Sequence, residues 1–338
     1  MKQLNFNDPS YLRNSKRKRV FQALVLTLFL IGVGHLTIQW AKNLSAREVD
    51  QSADGPFWKT VAHIFPFVGE REIIDPDYVM PAEEPNRLDI LLLGLRGKDD
   101  PDGGLLTDTI MLFSFDRQTK KSTLVSIPRD LYVKIKNNQK DKANSAYEYL
   151  GLGGTKKLFS KVTGVYIDHA AVFDFAAFKK IIDDIGGVDI VLEKPFEETT
   201  QWGYVFSLPT GANHLNGEEA LYYVRSRYSS SDFDRARRQQ QVLFAIRDKV
   251  KQTDFLSDPL KALALINTLR SNITTDINIL DVKGLIQLAE QVDAPNIKRY
   301  VLSPLDLLYD TKENGVYVLL PKGDTFEQVK TFFREILI

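Results

Sequence analysis

Five arginines, Arg225, Arg227, Arg235, Arg237 and Arg238, crowd one stretch of this chain, NHLNGEEALYYVRSRYSSSDFDRARRQQQ (Asn213–Gln241). Arg225 and Arg227 are two apart, and on an extended segment that spacing puts both guanidiniums on one face. Two planar forks side by side suit a pyrophosphate, because each can donate bidentately to phosphate oxygens. After the serine-rich loop Tyr228–Phe233, the pattern predicts a helix over Asp234–Lys251. On it Asp234, Arg237 and Gln241 share a face at i, i+3 and i+7, with Leu243, Ile246 and Val250 roughly opposite and expected to face the core. An arginine-rich helical stripe taken alone is more often a solvated face. The Arg-x-Arg pair just before it moves the reading toward an anion site.

Two smaller clusters could join it. Ser126-Ile127-Pro128-Arg129-Asp130 follows an apolar strand, and ligand groups gather at strand ends in open α/β sheets. Arg129 is therefore either a third phosphate ligand or half of an ordinary surface Arg–Asp pair, worth little. Asp108, in Thr107-Asp108-Thr109 ahead of another apolar run, could hold a hard divalent cation such as magnesium or simply belong to a turn.

Short apolar runs at Leu88–Leu95, Thr109–Phe115, Ser122–Ile127, Tyr166–Phe173 and Val188–Leu192 predict strands, the first buried on both faces. Helical patterns fall at Lys142–Tyr149, Thr155–Val162 and Phe175–Ile185, the last stopped by Gly186-Gly187. Residues 256–301 read as further helical segments, then Val316–Leu320 as a strand and Thr325–Leu337 as a final helix. The alternation predicts an α/β protein, a central sheet covered by helices.

Among its 338 residues, lysine and arginine balance aspartate and glutamate, so no global field favours nucleic acid and any anion site must be local. There is no cysteine and there are four histidines, with no HExxH pair, which argues against disulfides and a thiolate or histidine zinc site. Val20–Trp40 is a mostly apolar run, roughly 31 Å long as a helix, preceded by Lys16, Arg17, Lys18 and Arg19. It predicts a transmembrane helix with the N-terminus cytoplasmic and the remainder outside the cell membrane, extracellular or periplasmic. A cleaved signal peptide, with Leu44-Ser45-Ala46 as a poor site, and a buried core helix are the alternatives. The expected organisation is a cytoplasmic tail (1–19), a transmembrane helix (20–40), a proline-rich juxtamembrane stalk (41–86), a catalytic domain (87–255) and a C-terminal helix and strand–helix extension (256–338), which either completes that domain or forms a small appended lobe.

Several phrases in order, TDTIMLFSFD (Thr107–Asp116), LVSIPRDLYVKI (Leu124–Ile135), DKANSAY (Asp141–Tyr147), VFDFAAFKKIIDDIGGVDI (Val172–Ile190) and HLNGEEALYYVRSRYSSSDFDRARRQQQVL (His214–Leu243), closely resemble LytR–CpsA–Psr proteins. The resemblance runs over roughly Asn86 to Lys251. It implies an α/β/α sandwich with a central mixed sheet and an apolar polyprenyl pocket. It also implies transfer of a glycopolymer phosphate, with magnesium, from a polyprenyl-pyrophosphate carrier to a hydroxyl of peptidoglycan or another glycan. Carried over by motif, Arg129, Arg225 and Arg227 become pyrophosphate ligands, Asp234, Arg237 and Gln241 inner site residues, and Asp108 a metal ligand.

The chain departs from that pattern in two places. Arg96 stands where the family usually has a second aspartate, and Leu106 where it often has an arginine. The loop between is rich in acids and glycine (Lys98, Asp99, Asp100, Pro101, Asp102, Gly103, Gly104). Either Asp99, Asp100 or Asp102 replaces the missing metal ligand, or Arg96 replaces the metal's charge and binds phosphate itself. The same residues would also serve a polyprenyl-pyrophosphate hydrolase, or a non-enzymatic, membrane-anchored binding protein for anionic lipid-linked glycans. No concentrated DNA-binding helix points to nucleic acid.

Overall fold

The computed structural model describes residues 78–97, 100, 103–136, 139–227, 231–252, 265, 267–270, 272–278 and 297–337. The expected tail, membrane span and most of the stalk lie outside the described residues. Among the described residues no helix is long and apolar enough to cross a membrane.

A mixed six-stranded sheet forms the middle layer. Its strands are β1 (Arg87–Leu95), β2 (Thr107–Asp116), β3 (Ser122–Ser126), β6 (His169–Phe173), β11 (Ile273–Thr275) and β12 (Ile297–Val301), in the order β11-β6-β1-β2-β3-β12. β1 pairs antiparallel with β2 and parallel with β6, and β3 pairs parallel with β12. Side chains alternate across a strand, and the alternation separates two cores. Leu91, Leu93, Leu95, Ile110, Leu112, Val125 and Val172 face one side. Met111, Phe115 and Leu124 face the other, with Leu92 packed beside them. This is why the run LDILLLGL carries no polar face: the sheet is covered on both sides.

Helices α1 (Ala146–Thr163) and α5 (Glu327–Ile336) bury Leu158, Phe159, Val329 and Phe333 in the first core. Gly151 (φ 66, ψ −170) breaks α1 internally, at the gap between the two predicted helical segments. On the other side lie α2 (Phe175–Asp184), α3 (Gly217–Arg225) and α4 (Asp232–Gln252). Asp174 caps α2 by accepting from the Ala177 amide at 2.8 Å. Asn216 and Glu219 form a reciprocal capping box on α3, with both bonds at 3.0 Å. Between α2 and α3 runs the antiparallel ribbon β7 (Val188–Leu192) with β10 (Gly211–Leu215), and a small hairpin, β8 (Phe196–Glu198) with β9 (Phe206–Leu208).

Three hairpins went unpredicted, β8–β9 and two more, although Val316–Leu320 was itself expected as a strand. β4 (Tyr132–Lys136) pairs with β5 (Gln139–Lys142), and β13 (Leu308–Glu313) with β14 (Val316–Pro321) around Asn314-Gly315, both at positive φ as a tight hairpin turn requires. Ile297–Val301 is strand where helix was expected. With β11 it supplies both edges of the sheet, so these two described strands beyond residue 255 belong to the same sheet as β1.

Candidate functional site

A cavity of about 300 Å³ opens between the second face of the sheet and helices α2, α3 and α4. Its wall changes character along its length, and α4 shows how. Arg235, Gln239, Leu243 and Ile246 all line it, at i, i+4, i+8 and i+11, one helical face about 16 Å long. The face begins with a cation and an amide and ends in two aliphatic side chains. The sheet follows the same gradient. Leu92, Met111 and Ala171 line the apolar part, while Arg96 after β1 and Asp108 in β2 line the polar part with Arg225 and Arg227.

The polar end is a cluster of arginines stitched by three aspartates. Arg129 Nη1 donates to Asp108 Oδ1 at 2.7 Å. Arg96 Nε lies 3.9 Å from Asp108 Oδ2, and its Nη1 is 4.0 Å from Asp100. Asp100 in turn lies 3.9 Å from Arg225. Arg235 donates to the Asp108 carbonyl at 3.2 Å and to Asp232 at 3.0 Å. The Nε atoms of Arg129 and Arg235 are buried and have no hydrogen-bond partner. Two guanidinium donors left unmet in a concave site are suited to an oxyanion. A second cavity of about 20 Å³, lined by Arg129, Asp232 and Arg235 among others, adjoins them, room for about one water.

Burial lowers the proton affinity of Arg225, against the pull of Asp100. Burial also lowers that of Arg235, and the positive charges of Arg129 and Arg227 add to the effect while Asp232 opposes it. At Arg129 burial acts the same way, but Asp108, Asp130 and Asp232 outweigh it and the net shift is upward. All three stay charged at neutral pH. The site is a partly desolvated concentration of positive charge.

Arg225 does not lie on an extended segment. It is the last residue of α3, and Ser226 (φ −56, ψ 131) turns the chain out of the helix before Arg227. Both arginines nevertheless line the same cavity. Arg129 reaches the cluster from the β3 end as expected. Asp234, Arg237 and Gln241 are not brought to it. Asp234 accepts from Ser231 Oγ at 2.7 Å and from Arg237 at 2.8 Å. Arg237 keeps 62% of its side chain exposed. Gln241 accepts from the Tyr223 hydroxyl at 2.7 Å and donates to the Val191 carbonyl at 3.0 Å. Leu243 and Ile246 lie opposite Asp234 and Arg237 and pack against the apolar clusters as expected; the correction is to the functional stripe, which is the one that Arg235 and Gln239 begin and these two continue. A helix turns about 100° per residue, so a stripe displaced by one position faces elsewhere. Arg235, Gln239, Asp232, Arg238 and Gln201 were missed. The apolar spacing back from Ile246 through Leu243 was the signal that could have found the first two.

The described side chains do not fit a magnesium ion as arranged. Asp232 is held by Arg235 at 3.0 Å, and the Arg96 guanidinium spans Asp108 and Asp100. A divalent cation between them would have to displace it or share their charge with Arg129 and Arg225. No group of three or more acids or histidines able to hold a metal occurs among the described residues. Asp99 and Asp102, the other ligands considered, lie outside them.

Fold and cavity together define an α/β/α protein whose cavity is apolar at one end and lined by arginines at the other. The chain belongs to the LytR_cpsA_psr family, whose profile matches residues 69–335. It is 34% identical over 264 residues to the regulatory protein MsrR of Staphylococcus aureus (strain COL), covering 75% of this chain and 77% of that one. It is 29% identical over 231 residues to the polyisoprenyl-teichoic acid–peptidoglycan teichoic acid transferase TagT of Bacillus subtilis (strain 168), covering 65% and 70%. The solved structure of TagT bound to LIIa-WTA superposes with a TM-score of 0.59 at 26% identity, covering 77% of this chain and 99% of that one.

Proposed function

We propose that this protein is a phosphotransferase that moves a glycopolymer phosphate from a polyprenyl-pyrophosphate carrier to a hydroxyl of peptidoglycan or another surface glycan. The observation that carries the reading is the α4 stripe: one helix face lines a cavity that passes from Leu243 and Ile246 to Arg235. Such a wall suits a ligand with an apolar tail and a phosphate head, the chemistry of a lipid pyrophosphate. That the relative TagT is named a teichoic acid transferase supports the same class.

In this reading the prenyl chain lies along the apolar wall, and Arg96, Arg129, Arg225, Arg227 and Arg235 surround the pyrophosphate. The acceptor hydroxyl attacks the sugar-proximal phosphorus. A new phosphoester bond forms, the bond to the lipid-side phosphate breaks, and polyprenyl phosphate leaves carrying the bonding electrons. The arginines stabilise the charge that develops on it, which is most of what phosphoryl transfer asks of a protein. Asp108 and Asp174 are the carboxylates in the cavity wall; Asp174 is committed to capping α2, and we assign the acceptor's proton to Asp108. Asp234, held by Ser231 and Arg237, does not line the cavity and is out of place for that role. Arg96 supplies positive charge between Asp100 and Asp108, and the step as drawn uses no magnesium. The run Val20–Trp40 would anchor the chain in the cell membrane with the sandwich outside.

The test is turnover by the full-length protein in detergent, supplied with a polyprenyl-pyrophosphate glycan. It is run with and without acceptor glycan and chelator, beside an Arg225→Ala/Arg227→Ala variant. Acceptor-dependent product, lost in the variant and retained with chelator, is the expected result. Release of polyprenyl phosphate regardless of acceptor would make the protein a hydrolase. Chelator-sensitive turnover would overturn the metal-free step. Tight binding without any turnover would leave a binding protein.

A further inference from the structure

Two adjacent residues in the loop between β8 and β9 hold the Arg225–Ser226–Arg227 segment position by position. Gln201 Nε2 donates to the Arg225 carbonyl at 3.2 Å, and the Arg227 amide donates to Gln201 Oε1 at 2.9 Å. One side-chain amide therefore bonds both arginine backbones, as donor to one and acceptor from the other. Trp202 takes the side chains between. Its indole lies 4.9 Å from the Arg225 guanidinium carbon, Phe175 lies 4.2 Å from the same carbon, and Trp202 Nε1 donates to Ser226 Oγ at 3.1 Å. Tyr222 stacks on the indole at 4.9 Å with 27° between the planes.

The loop that carries this pair is itself anchored. The fully buried carboxylate of Glu198 accepts from the Thr200 amide, the Thr200 hydroxyl and the Gln201 amide at 3.2–3.3 Å. Arg238 grips the segment from α4, donating to the Tyr223 carbonyl at 2.9 Å and to the Ser226 carbonyl. Arg225 is the last residue of α3 and Arg227 lies past its C-cap, Ser226. Arginine has much rotamer freedom to lose, and fixing it before a ligand arrives removes that loss from binding.

We propose that Gln201 and Trp202 are positioning residues for the anion site: they clasp Arg225–Ser226–Arg227 so that two guanidinium forks meet a diphosphate already aligned. The proposal rests on the reading of this cavity as a pyrophosphate site. Gln201 sets the two backbones, and Trp202 with Phe175 sets the Arg225 guanidinium plane by stacking on it.

Trp202 can report on its own role, since Trp40 and Trp58 are the other two tryptophans of the chain. The experiment takes the full-length Trp40→Phe/Trp58→Phe protein in detergent and titrates it with inorganic pyrophosphate, following Trp202 emission and heat of binding. A saturable emission change is expected, absent in Arg225→Ala. Trp202→Leu should bind pyrophosphate about five- to thirty-fold more weakly, the range for losing a partly desolvated cation–π partner. Trp202→Phe, which keeps a ring, should recover part of that affinity, and Gln201→Met should also weaken binding. If pyrophosphate binds with Trp202 emission unmoved, and Trp202→Leu and Gln201→Met bind as tightly as the parent, the clasp is overturned and the anion site stands. If the parent binds no pyrophosphate by either readout, the anion-site reading falls and the clasp with it. Where Trp202→Leu does not fold, Trp202→Phe, Gln201→Met and the parent's emission decide the same question.

Discussion

Helix α4 carries the same residue types on two faces, and they meet opposite fates. On the inner face Arg235 and Arg238 are 6% and 8% exposed, and Gln240 is 2% exposed. On the outer face Asp234 and Arg237 pair with each other in solvent, at 46% and 62% side-chain exposure. The inner arginines hold backbone carbonyls of other elements: Arg238 those of Tyr223 and Ser226, Arg235 that of Asp108. The outer arginine holds only its helical neighbour. Chemistry and architecture have gone to the face where a guanidinium is desolvated and bonded to distant parts of the chain. A screened, exposed pair contributes little to either.

The largest separation between the faces should appear in turnover. Arg235→Ala is expected to lower turnover of a polyprenyl-pyrophosphate glycan by about 10²–10³-fold, the range for losing one preorganised charge donor. Arg237→Ala should stay within about threefold, a change of under 1 kcal/mol as for an exposed pair. Equal losses would return the site to the outer face. Arg227→Lys extends the test to α3, since a point charge lacks the fork; unchanged turnover there would argue against bidentate recognition.

Stability should divide the faces next. Arg238→Ala leaves two carbonyls without a partner, and about 2–4 kcal/mol of unfolding free energy should be lost. Arg237→Ala should change it by less than about 0.5 kcal/mol. Denaturant melts of the two variants make the comparison.

Buried charge far from α4 offers a control on the same logic. Asp89 in β1 is 2% exposed, accepts from Arg87 Nε at 2.7 Å, and leaves Oδ1 without a partner. Burial raises its pKa to about 6, with Arg87 pulling the other way. The folded protein then holds a proton that the unfolded chain releases near pH 4. Stability from this group is complete below that pH and is lost as pH rises through about 6, by roughly 2–3 kcal/mol. Asp89→Asn should flatten the fall in melting temperature between pH 4 and 7. A slope identical to the parent's would show that Arg87 neutralises the charge fully.

The smallest contrast compares two glutamines. Gln240 donates to Ser126 Oγ and to the Tyr300 carbonyl, both at 2.8 Å, tying α4 to β3 and β12. Gln240→Ala should cost about 1–2 kcal/mol, and Gln241→Ala, whose bond to Val191 is exposed to solvent, about half that. Reversed values in urea melts would mean that the Tyr223–Gln241 bond is the stronger tie.

Much of this molecule is legible in its residues alone. Apolar runs such as LDILLLGL name the buried strands because a strand covered on both faces has no use for a polar one. Gly186-Gly187 ends α2 where it was expected to end, since positive φ suits glycine. Spacing also brought Arg225, Arg227, Arg129 and Asp108 to notice; the fold places Arg225, Arg227 and Asp108 in one cavity wall, and Arg129 joins them by its bond to Asp108. What only the tertiary structure decided is which way the arginine-rich helix faces. Every third or fourth position of α4 offered a charged or amide group, so periodicity alone admitted more than one functional stripe. The sheet and α3 selected the one through Arg235 and Gln239, by facing its continuation, the partly buried Leu243 and Ile246, across the cavity. Gln201 and Trp202 were equally invisible, because the bonds that give them meaning cross 24 to 26 residues of chain. Local pattern reports local geometry, and a clasp between a hairpin loop and a helix end exists only once both have been folded into place.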